Sequence, residues 1–390
     1  MSLSNNGKTK VYIDALPIAQ DKMSGIGHLT LEMIRALSTN KEFDYKYELI
    51  LVLPLGKASK IVRHNLSGCK VATLPLPARA LSLFLKLKLL PPVDLLIGRG
   101  VYVFPNYRNW PLLLSPSITY FHDVSFMLHP ETVSPKNLKY LKHNARLWLK
   151  RTDLVATLSH SSKMEIIENL KIPEGKVKII PCGVNGSIFY HRSYKEVLNI
   201  KHKYGLPEGN YIICVGNLEP RKNIDRLIAA YQKLPDKLRN DYALVLIGGG
   251  GWLNEKTMAL INSARNNGLD IFHPKKYVED EDLPALFSGA ALAVHPAVYE
   301  GFGIPPIQAM SCRTLVAASA IDSIKEVVGE AALLFDPYSI SDIMAKIETG
   351  LSDNDERVSL VKKGEKQSKK FTWEDSASIL YKIIEELVDK

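Results

Sequence analysis

Cysteine is scarce: Cys69, Cys182, Cys214 and Cys312 are the only four in 390 residues, and they form no C-x-x-C pair and no metal-finger spacing. That pattern implies no disulfide scaffold and is expected of free thiols in a reducing compartment. Long apolar runs are missing as well. The nearest approach, residues 81–97, is broken by Lys86, Lys88, Pro91, Pro92 and Asp94, short of the ~20 apolar residues a membrane span needs. The first ten residues are polar, so no secretory leader is expected. No short-period repeat is present, which argues against solenoids and propellers. Negative charge is in deficit, with 41 Asp+Glu against 50 Lys+Arg and a formal charge of +9. The deficit is local: between Arg79 and Arg151 stand eleven basic residues and three acidic ones. Such a region can face nucleic acid, an anionic membrane surface or a phosphorylated substrate. It has no aromatic stacking surface and no recognition motif, so nucleic acid ranks last.

What is present is an ordinary globular composition, 46% hydrophobic and 23% charged, with length for two or three domains. Short β-rich runs alternate with amphipathic stretches from end to end, the pattern of parallel sheets with crossover helices. Candidate strands are 11–15, 48–53, 117–121, 154–158 and 177–180, then 211–215, 243–247, 291–295, 315–318 and 333–335. The turn-rich segment 181–186 is the best domain boundary. The expected fold is therefore α/β, with two Rossmann-like doubly wound parallel-sheet domains and ligands held at strand carboxyl ends in the cleft between them.

Residues 135–150 read as a helix: Ser134 can cap it, Pro135 suits the first turn, and Leu138, Leu141, Ala145 and Trp148 recur as a buried stripe. Lys136, Lys139, Lys142, Arg146 and Lys150 cover most of the rest. Residues 79–90 are too apolar to have one water-facing side, which leaves a core helix or a membrane-interface segment.

Four strand-end segments are suited to chemistry. Ser24-Gly25-Ile26-Gly27 leads into a helix and offers backbone amides to an anion, although a tight turn explains it as well. Thr30 stands where a dinucleotide fingerprint needs a third glycine. Arg221 and Lys222, after strand 211–215, are placed to neutralise a diphosphate, and Asn223 is placed to cap the next helix. Glu300 and the glycine loop after it, running into Pro305-Pro306, place a carboxylate beside free amides. His122, with Asp123, closes strand 117–121 and can donate a hydrogen bond or move a proton. Asp280-Glu281-Asp282 has the D-x-D spacing of a metal site but is better explained as acidic residues at a helix start.

Taken in order, Ser24-Gly-Ile-Gly27, Phe121-His-Asp-Val-Ser-Phe126, Ile179-Ile-Pro-Cys-Gly-Val184, Val215-Gly-Asn-Leu-Glu-Pro-Arg-Lys222, Tyr277-Val-Glu-Asp-Glu-Asp-Leu-Pro284 and Tyr299-Glu-Gly-Phe-Gly-Ile-Pro-Pro306 resemble the retaining nucleotide-sugar glycosyltransferases of family 4, with the GT-B fold. The resemblance spans nearly the whole chain and is strongest to mannosyltransferase-like members of bacterial polysaccharide and lipopolysaccharide assembly. It implies an acceptor domain over 1–185, a nucleotide-sugar domain over 186–370 and a C-terminal helix, 371–390, returning to the first. Arg221 and Lys222 would hold the donor diphosphate in place of a metal, with amides of Gly25 and Gly27 beside it. Glu300 and the amides of Phe302, Gly303 and Ile304 would meet the transferred sugar, His122 would hydrogen-bond it, and Tyr277, Val278 and Gln308 would complete the nucleotide-sugar site.

The resemblance also implies no cofactor and no metal, GDP-mannose as first-choice donor, a glycan or lipid-linked glycan acceptor, and a cytoplasmic enzyme docking on the anionic inner leaflet through its basic region. A UDP-sugar enzyme, a sugar-nucleotide epimerase and a silent binding subunit are the alternatives. Two positions depart from the family pattern. Gln308 replaces a glutamate that grips ribose hydroxyls, with loss of a charge-assisted bond. Arg313 replaces a glycine: it is either strained at positive φ or a cation near the nucleotide.

Overall fold

The computed structural model describes residues 7–251 and 254–389. Two parallel sheets organise them. The first comprises β1 (Thr9–Asp14), β2 (Tyr47–Leu55), β3 (Lys70–Pro77), β4 (Val101–Phe104), β5 (Ser117–Tyr120), β6 (Leu154–Thr157) and β7 (Val177–Ile179), in the order β3-β2-β1-β4-β5-β6-β7. The second comprises β8 (Asn210–Val215), β9 (Tyr242–Ile247), β10 (Ile271–Phe272), β11 (Leu292–His295), β12 (Val316–Ser319) and β13 (Leu333–Phe335), in the order β10-β9-β8-β11-β12-β13. The strand order reverses at β1/β4 and at β8/β11. Those two switch points are where a doubly wound sheet opens a crevice beyond its carboxyl ends.

Three strands, β3, β4 and β10, are absent from the sequence reading. β4 is only four residues long and is masked by the glycines of Gly98-Arg99-Gly100 before it. β10 has two residues and β3 is an exposed edge, so neither carries a strong apolar signal.

Seven helices position the site and the outer surface: α1 (Gly25–Thr39), α2 (Ala78–Lys86), α3 (Asp94–Ile97), α4 (Pro135–Arg151), α5 (His160–Leu170), α6 (Ile304–Ser311) and α7 (Trp373–Val388). α1 is capped by Ser24, whose hydroxyl accepts from the Gly27 amide, and buries Leu29, Met33 and Leu37. α4 starts at Pro135 as expected, but the Ser134 side chain makes no capping bond. α7 begins at the Thr372 cap and lays Trp373, Ala377, Leu380 and Ile384 into the same core as Val11, Ile13 and Leu51 of the first sheet. Its approach is held by Val184 N donating to Phe371 O at 2.9 Å and by the Ser376 hydroxyl donating to Pro181 O at 2.7 Å.

Two expectations are resolved by packing. Residues 79–90 do have a water-facing side: Leu81 and Leu90 enter a core with Tyr12 and Tyr102, while Leu83 and Phe84 of α2 face outward. Arg313 takes the strained alternative, at φ 61, and its guanidinium pairs with Glu365 at 3.0 Å on the exposed surface. A side chain in left-handed backbone costs about 1 kcal/mol. Arg313→Gly is accordingly expected to raise the melting temperature by a degree or two with activity unchanged, read by scanning calorimetry.

Candidate active site

The centre of the site is assembled by two loops of the second sheet. After β8 the chain makes a tight turn, Pro220–Lys222, and reverses at Asn223 in the left-handed conformation. Asn223 does not cap the following helix. Its amide instead donates to Pro296 O at 2.9 Å and Pro337 O at 2.8 Å, and Val298 N donates to Arg221 O at 3.0 Å. The turn carrying the two cations is thereby fastened to the loop after β11, which carries Glu300.

Arg221 and Lys222 converge on that carboxylate. Arg221 Nη1 donates to Glu300 Oε2 at 2.6 Å and to Tyr299 O at 3.0 Å, and its Nη2 donates to Glu219 Oε1 at 2.8 Å. Lys222 Nζ bonds Glu300 Oε1, and His295 Nε2 lies 3.4 Å from the same oxygen. Burial alone would raise the Glu300 pKa. Arg221 and Lys222 outweigh it and hold the carboxyl well below its ordinary value. Burial would lower the Arg221 pKa, and Glu300 with Glu219 raises it instead. The result is a half-enclosed knot of two fixed cations and their counter-ions at a strand switch point.

The same loop is docked on the first domain. Tyr299 hydroxyl accepts from Val124 N at 3.1 Å and donates to Glu165 Oε2 of α5 at 2.6 Å. Gly301 O accepts from the hydroxyls of Ser159 at 2.9 Å and Ser162 at 3.1 Å. A methyl group on Gly301 would stand 2.4 Å from His122 O, so glycine is required by the approach of the two backbones.

His122 therefore lies against the Glu300 loop, and its ring is more constrained than a strand-end dipeptide suggests. Nε2 is 2.9 Å from Pro105 O; a carbonyl only accepts, so Nε2 carries the proton. Burial lowers the His122 pKa and keeps the ring neutral, leaving Nδ1 as an acceptor. The ring is thereby fixed by Pro105 O, with Nδ1 the nitrogen left to accept.

Other predicted residues surround this centre. Gly25 and Gly27 form the first turn of α1; the Gly27 amide is already taken by Ser24 Oγ at 3.4 Å, whereas Gly25 has open space around it. Across from them, Tyr277 lies under Lys22 Nζ at 5.7 Å from its ring centre, and Asp280 pairs with His28 at 3.0 Å. Val278 is buried beneath. Phe302 packs on Phe371, and Gly303, at φ 110, starts α6 with no side-chain cap. Pro305 and Pro306 bring no N–H, so the available donors of that first turn include Phe302, Gly303 and Ile304. Gln308 is half-buried on α6, and its side-chain amide makes no hydrogen bond among the described residues. The D-x-D pair is divided: Asp280 faces His28, while Asp282 accepts from Lys203 and Tyr204, both at 2.5 Å.

Sequence reasoning missed Glu219, His295, Tyr299, Ser159, Ser162 and Glu165. Glu219 and Tyr299 stand inside the recognised motifs, and His295 ends the strand just before one. The last three lie on or beside α5 and carry no local signal, because their partners are more than 130 residues away.

Burial lowers the pKa of His64, His122 and His295 from 6.5, so all three are neutral in the fold. Unfolded, they take up protons below pH about 6.5, so this stability is complete above that value and declines as pH falls through it. His122→Asn is expected to show a shallower loss of melting temperature on acidification than the parent chain; an equal slope would remove His122 from that linkage.

The likenesses agree with this geometry. Residues 24–187 match the family model "Glycosyltransferase Family 4" and residues 197–367 match "Glycosyl transferases group 1". The chain is 32% identical over 365 residues to the O-antigen chain mannosyltransferase B of Escherichia coli, covering 90% of this chain and 93% of that one. Sucrose-phosphate synthase from Thermosynechococcus elongatus superposes with a TM-score of 0.75 at 18% identity, covering 98% of this chain and 100% of that one. Anabaena Alr3699/HepE, solved with UDP and glucose, superposes at 0.73 and 17% identity over 97% of this chain and 100% of that one. Both superpositions show the GT-B arrangement of two Rossmann-like domains. With both halves matched in order and a full-length relative at this identity, the chain belongs to glycosyltransferase family 4 and is a glycosyltransferase.

Proposed function

We propose that the enzyme transfers mannose from GDP-mannose, with retention of anomeric configuration, to a glycan or lipid-linked glycan during O-antigen-type polysaccharide assembly. The observation that carries this reading is the convergence of Arg221 and Lys222 on Glu300 at a strand switch point. Two fixed cations suit a diphosphate leaving group, and a carboxylate released when they turn to it suits sugar hydroxyls. The likeness to the O-antigen chain mannosyltransferase B of E. coli supports the choice of mannose and of O-antigen.

In this reading Arg221, Lys222 and the Gly25 amide hold the diphosphate. Glu300, His122 and the amides of Phe302, Gly303 and Ile304 hold the sugar. The nucleoside lies toward Tyr277, Val278 and Gln308. The acceptor attacks from the face the diphosphate leaves, and the departing phosphate assists its deprotonation. Charge neutralisation by Arg221 and Lys222 stands in for a metal, and Asp280 and Asp282 are engaged elsewhere. The unpaired cysteines and the uncovered basic region fit a cytoplasmic enzyme working beside an anionic inner leaflet.

A panel of nucleotide sugars, scored for nucleotide release and for thermal shift with EDTA present, tests the assignment. GDP-mannose is expected to give the largest of both. Preference for a UDP-sugar would replace the donor, and a strict metal requirement would overturn the role of the two cations. Gln308→Glu is expected to tighten nucleotide binding severalfold by calorimetry if Gln308 faces the ribose.

A further inference from the structure

The switch point of the first sheet, between β1 and β4, carries a charged pair of its own. Asp14 closes β1 and is 4% exposed. Its Oδ1 accepts from Leu16 N at 3.0 Å, and its Oδ2 makes no hydrogen bond among the described residues. The cation facing it is Arg108, just past the end of β4. That side chain is half-buried and forms neither an ion pair nor a hydrogen bond among the described residues. Carboxylate and guanidinium oppose one another without pairing.

Asp94 shows how this fold treats a carboxylate that only supports backbone. It is 2% exposed and accepts from Leu113 N at 3.0 Å and from Leu114 N at 2.7 Å. Burial pushes the Asp94 carboxyl up, but the Leu114 and Leu113 amides outweigh it and hold it below its ordinary value. Asp14 is as deeply placed and has a single amide. Burial raises its carboxyl, and Arg108 and the Leu16 amide offset only part of the rise. A turn fastened to Leu16 N needs one oxygen and no charge, so it explains neither the second oxygen nor Arg108.

Residues 105–108 also connect this pair to the reaction centre. Pro105 O holds His122 Nε2 at 2.9 Å, and the Tyr107 hydroxyl donates to Asp123 Oδ1 at 2.9 Å. Tyr107 and Asp123 both lie within electrostatic reach of Arg221. One loop thus touches the Glu300 site through Pro105 and Tyr107 and meets Asp14 through Arg108.

We propose that Asp14 and Arg108 grip the acceptor sugar through two neighbouring oxygens, and so aim its attacking hydroxyl at the sugar held by Glu300. A hydroxyl both donates and accepts, so one sugar hydroxyl donates to Asp14 while its neighbour accepts from Arg108. The pair selects a neutral sugar: a phosphate would be drawn to Arg108 and repelled by Asp14. This inference rests on the transferase reading, and it is independent of which nucleotide sugar is the donor.

Asp14→Asn keeps an oxygen for Leu16 N and removes the charge. With methyl α-mannoside as acceptor, it is expected to raise the acceptor KM about tenfold or more, with kcat at saturation and GDP affinity by calorimetry unchanged. The melting temperature should hold or rise, because a charge that burial disfavours is gone. Arg108→Met should raise the same KM. A merely structural role would lower the melting temperature and leave acceptor KM alone, and that result in Asp14→Asn would overturn the proposal. Saturation-transfer NMR with methyl α-mannoside and GDP reads acceptor contact without turnover. Signal is expected from the parent chain and its loss from both variants; no signal from the parent, or equal signal from Asp14→Asn, would overturn the proposal. A parent that gives the signal but releases nucleotide only from a UDP-sugar would replace the donor and leave Asp14 and Arg108 in place.

Discussion

Glu300→Gln is expected to cut sugar transfer by about two to three orders of magnitude and at the same time to bind free nucleoside diphosphate about tenfold more tightly. The two effects have one cause. Glu300 Oε2 is 2.6 Å from Arg221 Nη1 and its other oxygen bonds Lys222, so the carboxylate occupies the cations that the diphosphate must use. Its amide replacement no longer competes, and a diphosphate then finds Lys222 uncompensated and Arg221 held only by Glu219. The sugar loses its carboxylate acceptor, so transfer fails although the nucleotide is held. Without ligand the variant should also be less stable by roughly 3 kcal/mol, because removing one partner of a buried ion pair leaves the other unpaired. Glu219 remains on Arg221 and limits that loss. Lys222→Ala should act in the opposite sense, weakening diphosphate binding while relieving the pair. Calorimetric titration with GDP and UDP distinguishes them: equal or weaker binding by Glu300→Gln would show that carboxylate and diphosphate do not share these cations.

Gly301→Ala is expected to reduce kcat by about a hundredfold without unfolding either domain. The new Cβ would stand 2.4 Å from His122 O and 3.4 Å from Asp123 Cβ. Neither side can yield freely. His122 closes the end of β5 and is tied to Pro105 O, and Gly301 O is held by Ser159 and Ser162. The relief available is to move the Tyr299–Gly301 segment off the first domain. That carries Glu300 away from its partners by about an ångström, and a misplacement of that size is worth about 10² in rate. Gly175→Ala is the control, because a methyl group there meets nothing within 4 Å and the residue lies outside the site. Comparable losses in both variants would remove the interdomain contact as the cause. Small-angle scattering should report a more open domain arrangement for Gly301→Ala alone.

The candidate site residues were legible because a parallel sheet delivers such groups at one place. A strand needs a short apolar run, the crossover after it begins with turn residues, and functional groups follow the strand end. Arg221, Lys222, Glu300 and His122 all obey that rule, and the structure sets their loops around the two switch points. Asn223 and Ser134 show where the rule ends: both have cap-forming chemistry at a helix start, and neither side chain caps, one being drawn off by two carbonyls from elsewhere in the fold. The basic stretch was visible as composition. Which side chains of α2 face inward was not, because helical spacing does not say which leucines find an inner partner.

The sequence by itself determined the alternation of strands and helices, the α/β class, the order of the site motifs and the sign of the charge between Arg79 and Arg151. These rest on local periodicity and on residues close in the chain. Only the tertiary structure decided that Arg221 and Lys222 hold Glu300, that His122 is tied to Pro105 and pressed against Gly301, that Ser159, Ser162 and Glu165 fasten one domain to the other, and that Leu83 and Phe84 face outward. Each of these depends on partners brought together by strand order or by the closing of two domains, and neither is written in the spacing of neighbouring residues.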